Sequence, residues 1–189
     1  DAGVTLTLKL HHRELHSPEV AAANEASVLR SIQVAETLGA PLVSIGLPTP
    51  PPALAAITRR LGRDWNGTGA DVGEDAFART AAALRRLADA AADAGVDLSI
   101  ELHQGSIVDT STRLLHLLDL VDYANVGANP DIANVLQTSP PPGETWREAL
   151  ERLAPRANYW HVKNLRRIDI PGRSPYLIRR ALLRVITKI

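Results

Sequence analysis

Strand-like and helix-like patterns alternate along this 189-residue chain, and the alternation limits the folds that it can adopt. Residues 4–12 have the two-residue period of a strand, whereas residues 17–38 open with Ser17-Pro18-Glu19 and continue with apolar residues at helical spacing. Further strands are predicted at 41–47, 96–103, 124–128 and 158–162, and further helices at 53–61, 74–94, 110–121 and 146–153. Because repeated strand–helix units favour right-handed crossovers, we predict an α/β fold with five parallel strands and no defined element after residue 162.

Composition excludes several classes of protein. The absence of cysteine rules out disulfides, thiolate zinc sites and a cysteine nucleophile. The 21 Lys and Arg residues balance 21 Asp and Glu residues, so bulk charge does not favour nucleic acid or an anionic membrane. No apolar run approaches the ~20 residues of a membrane span, and the first residues do not resemble a signal peptide. We therefore expect one cytoplasmic domain over residues 1–189 that binds neither nucleic acid nor a membrane.

Three residues that suit a metal lie at or just beyond the ends of predicted strands. They are Glu101, Asp131 and His161. The carboxyl ends of parallel strands meet at one edge of a sheet, where α/β proteins place their chemistry. We therefore expect the three side chains to form one site, and without cysteine any metal there must be held by oxygen and imidazole.

The alternation of side chains along the strands adds neighbours to this site. In residues 98–103, Glu101 and His103 share the face opposite the apolar residues, and His161 and Lys163 do so in residues 159–163. In residues 4–12, His11 likewise lies on the face opposite the apolar residues. If the apolar faces pack under helices, these polar groups point into a barrel interior, where burial is costly unless they pair with one another or with a cation.

Several stretches together resemble the sugar phosphate isomerase/epimerase family of xylose isomerase-like TIM barrels, which also includes the endonuclease IV type. The main ones are Ile-Glu-Leu-His at 100–103, Val-Gly-Ala-Asn-Pro-Asp-Ile-Ala-Asn at 126–134 and His-Val-Lys-Asn at 161–164. The Leu-Gly-Ala at 38–40 and the Ala-Gly-Val at 94–96 also look like the helix-to-strand joins of the family. The resemblance covers nearly the whole chain.

The resemblance implies a divalent metal held by a glutamate, an aspartate, a histidine and a second glutamate from different strands. Glu101, Asp131 and His161 match the first three. In epimerase and ketol-isomerase members the metal-bound glutamates also exchange a proton with the carbon next to the substrate carbonyl, so Glu101 is the expected catalytic base. The ion would be Mn²⁺, Mg²⁺, Zn²⁺ or Co²⁺.

Four further residues are candidates for binding the substrate. They are His103, Asn134, Lys163 and His11. Asn134 stands where the family commonly has a histidine, and an amide is a poorer ligand and base than imidazole. For His103 the alternative is an ordinary hydrogen-bonded histidine, and for Lys163 it is a solvated lysine at a strand end.

The extent of the resemblance also predicts a partial barrel. By comparison with the family, the first two strands, the last strand and the second glutamate have no counterpart in residues 1–189, and a closed barrel usually needs ~200 residues or more. Open sheet edges invite pairing with another chain, so we expect self-association.

The sequence leaves three functions open. The first is a metal-dependent isomerase or epimerase that acts on a carbohydrate, namely a sugar, sugar phosphate or polyol. The second is a degenerate, non-catalytic member that binds metal or ligand, and the third is an abasic-site endonuclease. The balanced charge and the lack of any histidine after His161 disfavour the third.

Overall fold

Four short parallel strands form the main sheet of this protein. The structure is a computed structural model that describes residues 5–10, 13–48, 69–137, 143–168 and 176–186. The strands are β1 (Leu8–Leu10), β2 (Leu42–Ile45), β3 (Asp97–Glu101) and β4 (Val126–Asn129). Their spatial order is their sequence order, which is the order of strands in a TIM-barrel-like sheet.

Helices connect the strands and cover one face of the sheet. They are α1 (Ala21–Leu38), α2 (Glu74–Asp93), α3 (Ser111–Val121), α4 (Ile132–Gln137) and α5 (Trp146–Leu153). The predicted start of α1 at Ser17 is wrong, because the Ser17 carbonyl accepts hydrogen bonds from the N–H groups of Val20 and Ala21 in a turn that precedes the helix. The helix predicted at 53–61 lies outside the described residues. None of the described helices is long and apolar enough to cross a membrane.

The fifth strand differs from its prediction. Strand β5 (Trp160–Ile168) pairs antiparallel with β6 (Tyr176–Ile186), a strand in the stretch for which no element was predicted. Just before β5, Ala157 forms a parallel bridge with Ala128 of the main sheet, and the Asn158 N–H donates to the Ala128 carbonyl. The two-residue period identifies a strand but not the direction of its partner, so the sequence pattern could not distinguish the two arrangements.

The register of the main sheet separates an apolar face from a polar face. Paired residues in a parallel sheet point to the same side. One row consists of Leu8, Val43, Leu98 and Val126, of which the last three are buried in the same hydrophobic core as helix residues. The next row consists of Lys9, Ser44, Ser99 and Gly127. The face away from the helices is therefore polar, and it leads to the carboxyl ends of the strands.

Candidate metal centre

The three predicted ligands are brought together at one end of the sheet. Glu101 is the last residue of β3, and its register partner is Asn129 at the end of β4. Asp131 follows two residues later in a tight turn, where its N–H donates to the Asn129 carbonyl and its own carbonyl accepts from the Asn134 N–H. His161 is the second residue of β5.

His161 lies between the two carboxylates. Its Nδ1 is 3.0 Å from Glu101 Oε1 and 3.4 Å from Asp131 Oδ2. One ligand atom from each of the three residues lies within 4.8 Å of the others. The Glu101 and Asp131 side chains are 6% and 0% exposed, so this is an enclosed cluster rather than a group of surface acids.

Two lysine side chains balance the carboxylates. Lys9 on β1 forms an ion pair with Glu101 Oε2, and Lys163 on β5 forms one with Asp131 Oδ2. The Lys163 ammonium group also donates to Asn134 Oδ1 at 3.2 Å. Lys163 was among the predicted site residues, whereas Lys9 was not, although its position on the polar face of β1 was a signal that could have identified it.

Asn129 holds His161 in place. Its Oδ1 accepts a hydrogen bond from the His161 N–H at 2.9 Å, and its Nδ2 donates to Ser44 Oγ at 3.3 Å. The same Nδ2 is 3.1 Å from His161 Nδ1. Asn129 is fully buried, and no periodic signal distinguishes it from an ordinary residue at the end of a strand. Asn129 therefore anchors the His161 backbone in a position where Nδ1 faces the carboxylates of Glu101 and Asp131.

The other residues predicted to bind the substrate lie around the three candidate ligands or outside the described residues. His103 is half-buried two residues beyond Glu101, with Nδ1 2.6 Å from the Gln104 carbonyl oxygen. Asn134 is buried, and its Nδ2 donates to the Leu102 carbonyl at 2.8 Å while its Oδ1 accepts from Lys163. His11 lies outside the described residues. The roles of all four in substrate binding stay predictions.

The surroundings set the protonation of the cluster. Burial acts to raise the pKa of Glu101, but hydrogen bonds from His161 and Lys9 and the charge of Lys9 outweigh it and hold that pKa well below the usual range. Burial acts to lower the pKa of His161, but the neighbouring carboxylates of Asp131 and Glu101 raise it overall. Burial lowers the pKa of His103. Glu101 is therefore a carboxylate at neutral pH.

The donor set fits a divalent cation. Two carboxylates and one imidazole suit Mn²⁺, Mg²⁺, Zn²⁺ or Co²⁺. Among the described residues, Asp131 Oδ1 is buried and has no hydrogen-bond partner, whereas Oδ2 forms an ion pair with Lys163. A buried carboxylate oxygen without a partner is costly, and a coordinated cation would offset that cost. Glu101, Asp131 and His161 therefore form a candidate metal site.

A polar cluster at the carboxyl ends of a parallel α/β sheet is typical of enzymes with barrel-like folds. A sequence model of the xylose isomerase-like TIM barrel family matches residues 1–174. The chain belongs to this family. No curated protein has significant sequence similarity to it.

Solved structures share the fold at low sequence identity. A xylose isomerase-like TIM barrel protein from Mycobacterium smegmatis in complex with magnesium is 22% identical with a TM-score of 0.76, over 92% of this chain and 56% of that one. A D-psicose 3-epimerase in the presence of D-fructose is 18% identical with a TM-score of 0.64, over 84% and 52%. A probable 3-DHS dehydratase from Bacillus anthracis is 15% identical with a TM-score of 0.62, over 84% and 50%. The predicted TIM-barrel-like α/β fold is confirmed, and the chain spans about half the length of each structure.

Proposed function

We propose that this chain carries the metal centre of an isomerase or epimerase that moves a proton next to the carbonyl of a sugar or related polyol. The observation that supports it most is the convergence of Glu101, Asp131 and His161 from three successive parts of the fold into one enclosed cluster. The family membership and the epimerase among the similar folds are consistent with this activity.

Each residue has a distinct part in this proposal. When bound, the metal would polarise the substrate oxygens and offset the negative charge that develops on an enediolate. Asp131 and His161 would hold the ion, and His161 is itself oriented by Asn129 through the backbone hydrogen bond of 2.9 Å. Glu101 would hold the ion and accept the substrate proton.

The contacts of Glu101 weaken it as a base. Oε1 faces His161 at 3.0 Å, and Oε2 is paired with Lys9. Both oxygens are engaged, and the same partners depress the pKa, so Glu101 is a weak base in this arrangement. Each oxygen keeps a second lone pair, so it can still accept a proton, but the two contacts make that transfer less favourable. Loss of the Lys9 contact would raise the pKa of Glu101 and make it a stronger base.

A non-catalytic metal-binding or ligand-binding protein is the second candidate. The resemblance implies two metal-bound glutamates, whereas the cluster contains one glutamate among the residues that the structure describes. With a single carboxylate base, the site would bind the metal without completing a two-base proton exchange.

Two measurements test the proposed function. Calorimetric titration with Mn²⁺ should detect binding that is lost in Glu101→Gln and His161→Ala and kept in Glu151→Gln, a matched control on the exposed side of α5. Exchange of deuterium from solvent into a panel of ketoses should require Mn²⁺ and fall by at least about 100-fold in Glu101→Gln, the lower range for loss of a general base. Unchanged Mn²⁺ binding in both site variants would rule out this centre, and binding without exchange would favour the second candidate.

A further inference from the structure

Tyr159 connects the candidate metal centre with the segment that leads into β1. It directly precedes β5, two residues before His161, and it is buried, with 6% of the residue exposed. Its ring meets the His161 imidazole edge to face, with 5.2 Å between the centroids and 74° between the planes. Its hydroxyl is 3.2 Å from Thr7 Oγ1. One side chain therefore contacts a candidate ligand and a residue from the other end of the described fold.

The hydroxyl contact fixes the tyrosine ring. Thr7 and Tyr159 are 152 positions apart, and β1 and β5 do not pair with each other among the described residues. The hydrogen bond between the two hydroxyls is therefore a tertiary link across the polar face of the sheet. A buried tyrosine hydroxyl normally has a hydrogen-bond partner, and the side chain has two rotatable torsions. Because this side chain is held at the backbone and at the hydroxyl, its ring is confined to the orientation beside His161.

The contact with Tyr159 differs from the other contacts of His161. The imidazole Nδ1 lies 3.0 Å from Glu101 Oε1 and 3.4 Å from Asp131 Oδ2, and both carboxylates are candidate ligands. A cation held by these carboxylates would replace the two contacts, so they cannot orient the imidazole in the loaded site. Asn129 accepts from the His161 backbone N–H, which positions the main chain. Tyr159 contacts the ring without using a ligand atom, so its contact is compatible with a bound ion.

The tyrosine also links His161 to the strand that holds Glu101 from the other side. Thr7 is two positions before Lys9, so in an extended chain the two side chains point to the same face. Lys9 forms the ion pair with Glu101, and Glu101 faces His161. The contacts therefore make a closed circuit that runs through Lys9, Glu101, His161, Tyr159 and Thr7. Each member is held from two sides, so a displaced tyrosine ring would disturb the geometry of the ligands.

We propose that Tyr159 is a positioning residue of the metal centre: with its hydroxyl held by Thr7, its ring keeps the His161 imidazole turned toward Glu101 and Asp131. In this role Tyr159 touches neither the ion nor the substrate and acts through His161. The inference rests on the proposed function, because it concerns the same metal centre. Replacing a group that orients a metal ligand typically weakens metal binding by about 10- to 100-fold, so the role is measurable.

Calorimetric titration of the full chain with Mn²⁺ tests the hydrogen bond. Tyr159→Phe and Thr7→Val each remove this bond and nearly keep the size of the side chain, so each should weaken Mn²⁺ binding by about fivefold, the equivalent of one neutral hydrogen bond. The double variant should bind Mn²⁺ as each single variant does, because both changes remove the same bond. Tyr159→Leu also removes the ring contact and should weaken binding by at least about tenfold. Tyr159→Phe carries the test if Tyr159→Leu fails to fold, as judged by circular dichroism.

Two matched controls separate this role from the general loss of a hydroxyl. Thr5→Val changes an exposed threonine in the same segment as Thr7, and Tyr123→Phe removes a tyrosine hydroxyl that bonds to Asp89 instead. Both controls should bind Mn²⁺ as the wild type does. Wild-type affinity in Tyr159→Phe and Thr7→Val, equal losses in the controls, or additive losses in the double variant would overturn the proposal.

Nuclear magnetic resonance of the metal-free protein tests the positioning directly. With isotope-labelled histidine, the ring signal of His161 can be assigned by its loss in His161→Ala. Thr7 bonds to Tyr159, so Thr7→Val should move this signal by displacing the tyrosine ring. We expect the signal to move in Thr7→Val and Tyr159→Leu and to keep its position in Thr5→Val. An unchanged signal in all three variants would show that Tyr159 does not orient the imidazole.

This proposal and the proposed function fail in different ways. If Mn²⁺ binding is lost in Glu101→Gln and His161→Ala but is unaffected by the Thr7 and Tyr159 variants, the metal centre stands and the positioning role is wrong. If the wild type does not bind Mn²⁺ while the His161 signal moves in Thr7→Val, Tyr159 orients the imidazole and the metal-dependent isomerase is wrong.

Discussion

At the scale of single residues, Gly127 leaves room for the side chain of Asn158, which precedes β5, on the polar face of the sheet. A Cβ at this position would overlap the amide group of Asn158, whose Nδ2 donates to the Leu98 carbonyl at 2.9 Å. Gly127→Ala should therefore displace Asn158, break this hydrogen bond and lower the free energy of unfolding by about 1–2 kcal/mol. Urea unfolding followed by circular dichroism measures the change.

Two variants test this explanation. Gly143→Ala is a matched control, because a Cβ there meets nothing within 4 Å. In the Asn158→Ala background, Gly127→Ala should cost much less than it does in the wild type, since the overlapping amide is already gone. Additive effects of the two substitutions would show that Gly127 is needed for a different reason.

The sequence predicted which acids and histidine converge, but only part of what surrounds them. Glu101 and Asp131 were identifiable because each ends or follows a parallel strand, and the ends of neighbouring parallel strands meet. His161 was expected at the end of a strand, but it is the second residue of β5 and reaches the cluster from the start of that strand. The polar face of β1 indicated that Lys9 points toward the site, but not that it pairs with Glu101, because that contact reaches past β2 to the end of β3. Asn129 likewise acts through contacts with Ser44 and His161 that no local pattern encodes.

At the scale of elements, the connection from β1 to α1 contains a buried histidine that makes stability depend on pH. His16 is 5% exposed, and its carbonyl accepts a hydrogen bond from Arg79 Nε at 2.8 Å. Burial and the charge of Arg79 lower the pKa of His16, with opposition from Glu14. Since the unfolded chain then binds the proton more tightly, this contribution to stability is present above about pH 6.5 and is lost as pH falls through that value.

We expect His16→Gln to reduce the pH dependence of unfolding. Between about pH 7.5 and about pH 5.5, the wild type should lose more free energy of unfolding than the variant, by at most about 1.4 kcal/mol per pH unit. Urea unfolding at both pH values measures the difference. Glu14→Gln removes the opposing carboxylate, so it should enlarge the loss. Equal losses in the wild type and His16→Gln would contradict this role.

The long helices and the strands of the main sheet were predictable, whereas the shortest helix and the pairing of β5 were not. Helices α2 and α3 begin and end within one residue of their predicted bounds, because each has a sustained apolar face of about three turns or more. Helix α4 has six residues, too few to display a period, and it was missed. The antiparallel pairing of β5 with β6 depends on a contact between two segments, so neither segment alone could indicate it.

At the scale of the whole molecule, the main sheet has an outer edge along β1. This strand is at the end of the order β1-β2-β3-β4 and pairs only with β2 among the described residues. Leu6, two residues before β1, is 50% exposed. An unpaired edge with an adjacent apolar side chain can pair with the same edge of a second chain, so we expect this chain to self-associate.

A charged residue beside the edge should weaken that association. Lysine there opposes edge-to-edge pairing, because it would place two like charges together at a symmetric contact. Light scattering coupled to size-exclusion chromatography should therefore find a dimer or larger species for the wild type and a smaller mass for Leu6→Lys at the same concentration. Val34→Lys is the matched control, since Val34 is 47% exposed and belongs to α1 rather than to the sheet. A monomeric wild type would contradict the expectation, and an equal effect of both substitutions would locate the contact away from β1.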